Sequence, residues 1–293
     1  MPVMFAYLAD ITAPEDRAKR YGLLGALGGI GTMVGPAIGA FLATISLSAP
    51  VFATAAIAAL IGVLSAVVLP ESLKPENRSK ELKLAELHPF KVISAAFARK
   101  ELRAVLIAFT LVSIPFAFFV NNVSVLALDA IQWGPTQVGL LLSGVGVVDI
   151  IVQGALLGPL VKRFGERGVV IGGMVGQLIG CLGLALVASL LPLSWLLASA
   201  GLMFAAGQGG MQAALDGVMS SSVGADEQGW LAGGLSSLGS AVQMTAPLLA
   251  GWLYSALSHS APYWVGVVLI AAAAITLARG TTRNPTPVTA AAS

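Results

Sequence analysis

One cysteine and two histidines among 293 residues rule out a disulfide framework and leave too few ligands for a Cys/His zinc site. Charge is scarce too. Asp, Glu, Lys and Arg make up 10% of the chain, where a soluble domain carries roughly 25%. No group of His, Asp and Glu has the spacing of a nucleophile–base pair or a metal cluster. The chain is therefore expected to be no enzyme and to need no metal or cofactor. The net charge of +2 does not point to an acidic partner, and no nucleic acid is expected to bind. No basic stretch precedes the apolar residues after Met1, so no cleavable signal is visible.

Apolar residues are what the chain has. They make up 57% of it, with a mean hydropathy of +0.88. A helix needs about 20 such residues to cross the hydrocarbon core. Eight segments qualify: 21–43, 50–69, 104–128, 137–161, 168–190, 193–215, 230–253 and 262–278. The thirty-four glycines suit helices whose backbones approach closely in lipid.

Positive charge then fixes the parity of the spans. All sixteen Lys and Arg residues fall in alternate breaks: Arg17 to Arg20, Lys74 to Arg103, Lys162 to Arg167, and Arg279 with Arg283. The intervening breaks, at 47–50, 129–136, 190–194 and 257–262, carry none. Basic residues stay cytoplasmic during insertion, so the pattern predicts a multi-pass protein with a cytoplasmic C-terminus. The lipid bilayer is its first partner.

Residues 1–9 are apolar but too short to span, and read as the cytoplasmic end of a helix. An offset of 211 residues brings Gly22 onto Gly233, Gly28 onto Gly239, Pro36 onto Pro247, and Glu15-Asp16 onto Asp226-Glu227. Parallel repeats of this kind build several transporter folds. The repeat predicts an N-terminal half ending in residues 1–70, a cytoplasmic linker at 71–102, a six-helix half over 103–280 and a disordered tail at 281–293. The first half would then lack roughly 105 residues, about three spans.

The stretch from Tyr7 to Arg17, containing Asp10, is followed by Gly31-Thr-Met-Val-Gly35-Pro36-Ala-Ile-Gly39. Later comes Gly158-Pro-Leu-Val-Lys162-Arg163-Phe-Gly165-Glu-Arg167, and Leu69-Pro70-Glu71-Ser72 precedes the basic linker. Together these resemble the major facilitator superfamily, and more narrowly its drug/proton antiporters, the tetracycline exporters among them. The resemblance implies an all-α helical bundle with about eight full spans plus an N-terminal half-span, beginning within the family's fourth helix. It also implies small-molecule substrates, protons as coupling ion, alternating access, a bacterial inner membrane and a monomer when full length. Asp10, Arg17, Lys162 and Arg163 would form gating loops, and Gly31, Gly35, Pro36 and Gly39 the antiporter glycine–proline motif. Two departures stand out. Lys162 occupies a position where the family's loop signature usually carries Asp. Gln177 stands near the position of a ninth-helix carboxylate in the tetracycline exporters.

Intramembrane ionisable groups are costly and tend to mark pathways. Asp149 lies midway through the 137–161 span, with Gln153 one turn along on the same face. A desolvated carboxyl can load and release a proton near neutral pH, so Asp149 is the expected proton-coupling group. The resemblance adds that a histidine holds this position in the tetracycline exporters. The alternative is an Asp kept ionised in a hydrated cavity.

Gln208, Gln212 and Asp216 follow at i+4 steps, so one face of that helix meets protein or water. Phe119 sits beside Asn121 and Asn122 in the 104–128 span, near Pro115, a bend site. Asn121, Asn122, Phe119, Gln153, Gln177, Gln208 and Gln212 are the substrate-cavity candidates. Interhelical hydrogen bonding is the plainer account of the glutamines. The expected function is proton-coupled export of small lipophilic molecules or drugs. A uniporter or importer of the same fold, and a truncated chain that transports nothing, are the alternatives.

Overall fold

The computed structural model describes residues 7, 11–12, 17–69, 94, 97–223 and 228–280. Asp10, most of the 71–102 linker and the 281–293 tail lie outside them. Among the described residues the long elements are all helical. They are α1 (Arg17–Ile45), α2 (Ala49–Val68), α3 (Lys100–Ile131), α4 (Pro135–Ile151), α5 (Leu157–Ser189), α6 (Ser194–Ser221), α7 (Gln228–Ala256) and α8 (Ala261–Gly280), with a π-helical turn, Val152–Leu156, joining α4 to α5. The chain is all-α, as expected. Helices alone of open structures satisfy every backbone group without water, which is why apolar runs of this length take that form.

Among the described residues, five helical stretches are long and apolar enough to cross a membrane: Leu27–Ile45, Ala49–Val68, Leu102–Ile131, Pro135–Ser189 and Ala261–Arg279. The fourth covers 55 residues and is broken at Gly165, where φ is +69° and ψ 166°. Only glycine adopts that conformation without strain, so the expected spans 137–161 and 168–190 separate there. Helices α6 and α7 are not among the five. Gly, Ser and Gln dilute them.

Contacts gather the chain into two units, residues 1–87 with 133–147, and residues 88–132 with 148–293. In the first, α1 packs on α2, and α2 buries none of its residues. Gly139 of α4 meets the other end of this unit: a Cβ there would collide with Ala40 and lie 3.1 Å from the Pro36 carbonyl oxygen. The motif glycines Gly31, Gly35 and Gly39 have no described neighbour within 4 Å of where a Cβ would stand.

The second unit holds the core. Helix α3 packs on both α7 and α8, with Ala117 and Phe118 against Val242, Ala246, Ala250 and Leu253. Pro115 meets Gly266 of α8, which also touches Cys181 Sγ. The thiol in turn donates to the Tyr263 carbonyl at 3.1 Å. Helices α5 and α6 make the tightest pair. A Cβ on Gly180 would stand 2.6 Å from the Phe204 backbone nitrogen, and one on Gly183 2.7 Å from the Ala200 Cβ. Small residues let two helices meet backbone to backbone, the favoured packing where apolar burial gains nothing from lipid.

Candidate functional site

Asp149 stands in the last turn of α4, one turn before the π-helical segment begins at Val152. A π turn inserts a residue into the helical ladder, and such turns recur at functional positions. Asp149 is half-buried, and its Oδ1 rests directly on Gly209 of α6. A Cβ built on Gly209 would clash with that oxygen and lie 3.5 Å from Asp149 Cγ and 3.6 Å from Gln153 Nε2. Asp149 and Gln153 thus converge on one glycine. Val152 packs beside them, its Cγ1 3.4 Å from a Cβ placed on Gly210.

A second polar feature runs along α5 and α6. Gln177 Nε2 donates to Gln208 Oε1 at 2.7 Å, Gln208 Nε2 to Gln212 Oε1 at 3.5 Å, and Gln212 Nε2 to Asp216 Oδ1 at 3.1 Å. The direction has a physical cause. A carboxylate only accepts, so Asp216 turns the Gln212 N–H₂ toward itself and the other amides align behind it. Gln177 is fully buried, and its Oε1 has no hydrogen-bond partner among the described residues. At the other end Asp216 is exposed, one residue past the expected span. Neighbouring protein pushes its carboxyl above the usual carboxylate range, and the Gln212 amide partly offsets this. Glu166 lies close by, its Oε1 3.3 Å from a Cβ placed on Gly217.

The other candidates are placed as follows. Phe119 is buried and stacks on Phe204 with ring centroids 4.8 Å apart. Asn122 is buried, and exposed Asn121 donates to the Ala117 carbonyl of its own helix at 2.8 Å. Lys162 and Arg163 are exposed just before Gly165, and the Arg163 guanidinium lies 5.4 Å over the Phe164 ring. Arg17 opens α1, but its side chain is not among those described. Gly31, Gly35, Pro36 and Gly39 share α1.

Sequence reasoning named Asp149 and the glutamines but missed Gly209, Gly139 and the link from Gln177 to Gln208. The Gly209-Gly210 doublet beside two glutamines was the available signal. It also missed a cluster at the C-terminal ends of α3 and α7. There the Tyr254 hydroxyl donates to Asp129 Oδ2 at 2.9 Å, and His259 stacks on the Tyr254 ring at 4.5 Å. Burial first, and the Asp129 carboxylate second, hold that hydroxyl well above its usual range.

Comparison with known proteins agrees with this architecture. A sequence profile of the Major Facilitator Superfamily matches residues 1–128 and 107–293. The tetracycline resistance protein, class C, of Escherichia coli is 33% identical over 276 residues, covering 93% of this chain. Solute carrier family 22 member 18 of Mus musculus is 25% identical over 278 residues, covering 92%. The chain spans 66% of each relative, just under two thirds of its length. The crystal structure of the human organic anion transporter MFSD10 (TETRAN) shares the fold, with a TM-score of 0.64 and 22% identity. The match covers 93% of this chain and 66% of that one.

Proposed function

The chain belongs to the major facilitator superfamily, and from that premise we propose that it serves proton-coupled export of small lipophilic molecules, with Asp149 as the proton-carrying group. One observation carries the reading: a lone carboxyl midway through an expected span, turned toward a neighbouring helix rather than lipid, beside a π turn and Gln153. Intramembrane acids in such a position mark ion and substrate pathways. Transporters of this architecture need no catalytic centre; they move a solute by alternating access around a midplane site.

In this reading Asn121, Asn122, Gln153, Gln177, Gln208 and Gln212 supply the polar contacts of the path, with Phe119 as part of its aromatic wall. The loops at Asp10–Arg17 and Lys162–Arg163 act as cytoplasmic gates, and Gly31, Gly35, Pro36 and Gly39 as a pivot. The protein sits in the bacterial inner membrane with its C-terminus inside, because every basic break then faces the cytoplasm. The likeness to the class C tetracycline resistance protein makes tetracycline the first compound to try. An amide at Gln177 argues for including neutral and cationic lipophilic compounds beside it.

The test is proton release from acidified inverted vesicles on addition of tetracycline or ethidium. The wild type should release protons and Asp149→Asn should not. Substrate uptake that persists in Asp149→Asn, with no proton movement in either protein, would instead support a uniporter in which Asp149 touches the substrate.

A further inference from the structure

We propose that Gly209 is the coupling residue of this site: the bare backbone against which Asp149 docks, and through which its charge state reaches α6. The inference rests on the reading of Asp149 as the proton-carrying group and adds the element on which that group acts.

Two observations carry it. The Asp149 carboxyl occupies the volume that a side chain at 209 would fill, with Oδ1 touching and Cγ 3.5 Å from the Cβ position. Position 209 lies inside α6, so its backbone N–H and C=O are engaged in the helix and offer the carboxyl no strong partner. A neutral carboxyl packs on such a surface, whereas a carboxylate is drawn to donors or water. Both positions stay open only while residue 209 has no side chain.

The neighbours of Gly209 show where a displacement would go. Gly207, two residues earlier, presses on the α5 backbone, where its Cβ would stand 2.9 Å from the Gly176 carbonyl carbon. Gln208 takes the 2.7 Å hydrogen bond from Gln177. Residues 207–209 therefore touch the proton site and the amide chain within one helical turn. The π turn from Val152 gives the α4 side a widened segment next to the same contact, with Val152 against Gly210. Among titratable groups on the helices packed against this turn, Asp216 lies seven residues along α6 and bonds Gln212, Glu166 lies by Gly217, and Cys181 bonds the Tyr263 carbonyl. Gln153 is the polar group placed to take the carboxyl when it leaves.

A fluorescent carbodiimide reports on the contact without requiring transport, since it reacts with protonated carboxyls in apolar surroundings. The full chain in proteoliposomes is labelled and Asp149 modification is mapped by peptide mass, with Asp149→Asn as the blank. Gly209→Ala should change the Asp149 labelling rate by about fivefold or more, while Gly210→Ala, which meets only apolar atoms, stays within about twofold. Equal labelling in folded wild type and Gly209→Ala overturns the inference. If Gly209→Ala fails to fold, the double variant Gly209→Ala/Asp149→Ala should recover, because the carboxyl is what the new methyl strikes. A double variant that also fails overturns it too. The two readings fail separately: proton release retained in Asp149→Asn sinks the proposed function, whereas unchanged labelling in Gly209→Ala sinks only the coupling role.

Discussion

Helices α1 and α5 carry similar glycine spacing and use it in opposite ways. In α1, Gly31, Gly35 and Gly39 repeat every four residues, yet among the described residues a Cβ on any of them meets nothing within 4 Å, and Leu27, Ile30, Ile38 and Phe41 are exposed. In α5, Gly173, Gly176, Gly180 and Gly183 repeat at steps of three and four, and a Cβ on each would press into α6. Helix α2, the most apolar of the candidate spans among the described residues, has no buried residue. Hydropathy therefore reports that a segment belongs in lipid, while packing depends on which small residues find a partner. Lipid is as apolar as leucine, so an apolar side chain turned to lipid carries none of the penalty it would carry in water.

That contrast can be broken most forcefully at Gly207. Its Cβ would strike the Gln177 backbone nitrogen and the Gly173 carbonyl oxygen, so Gly207→Leu should destabilise the detergent-solubilised protein by about 3 kcal/mol. Gly39→Leu, with no described neighbour within 4 Å of its Cβ position, should stay within about 0.5 kcal/mol. Thermal unfolding of the two variants side by side measures the difference, and equal melting temperatures would remove the distinction drawn between the helices.

Gly165→Ala should cost less, about 2 kcal/mol, from backbone strain alone, because no atom of the described residues lies within 4 Å of its Cβ position. Unchanged melting in this variant would mean that the break between the two spans does not need the positive φ.

The buried amide pair comes next. Gln177→Leu strands the Gln208 oxygen and should cost about 1–2 kcal/mol. The double variant Gln177→Leu/Gln208→Leu should then lose clearly less than the sum of the singles. Additive losses would mean that the two amides are not energetically joined.

The smallest effect belongs to Tyr254. Its folded-state hydroxyl titrates above the usual value near pH 10, so the unfolded chain loses that proton first as the solution becomes alkaline. The stability it contributes is complete below about pH 10 and falls as pH rises beyond that. Tyr254→Phe should flatten the alkaline limb of the stability–pH curve, and an identical limb in both proteins would contradict the assignment.

Much of this protein was legible in its residues. The helix positions followed from runs of about 20 apolar residues, because a backbone in lipid must satisfy its own hydrogen bonds. Alternation of Lys and Arg between breaks supplied an expected parity for the spans. Asp149 and Gln208 drew attention as polar groups in apolar surroundings, and Gln177 through the family resemblance.

The facing of the helices was not legible. In water an apolar stripe shows which side of a helix turns inward, but a membrane helix is apolar all round and the stripe loses its contrast. Thus Gln208, Gln212 and Asp216 could be placed on one face, but not opposite Gln177, whose hydrogen bond crosses 31 residues of chain. Nor could Asp149 be assigned to Gly209, since a glycine carries no side chain to mark its role. The π turn at Val152 shifted the register at a point where no Pro or Gly run announced it. Composition and charge decided that the chain is a multi-pass helical protein. Only tertiary packing decided which glycines touch, because contact in lipid is set by shape and hydrogen bonding rather than by apolarity.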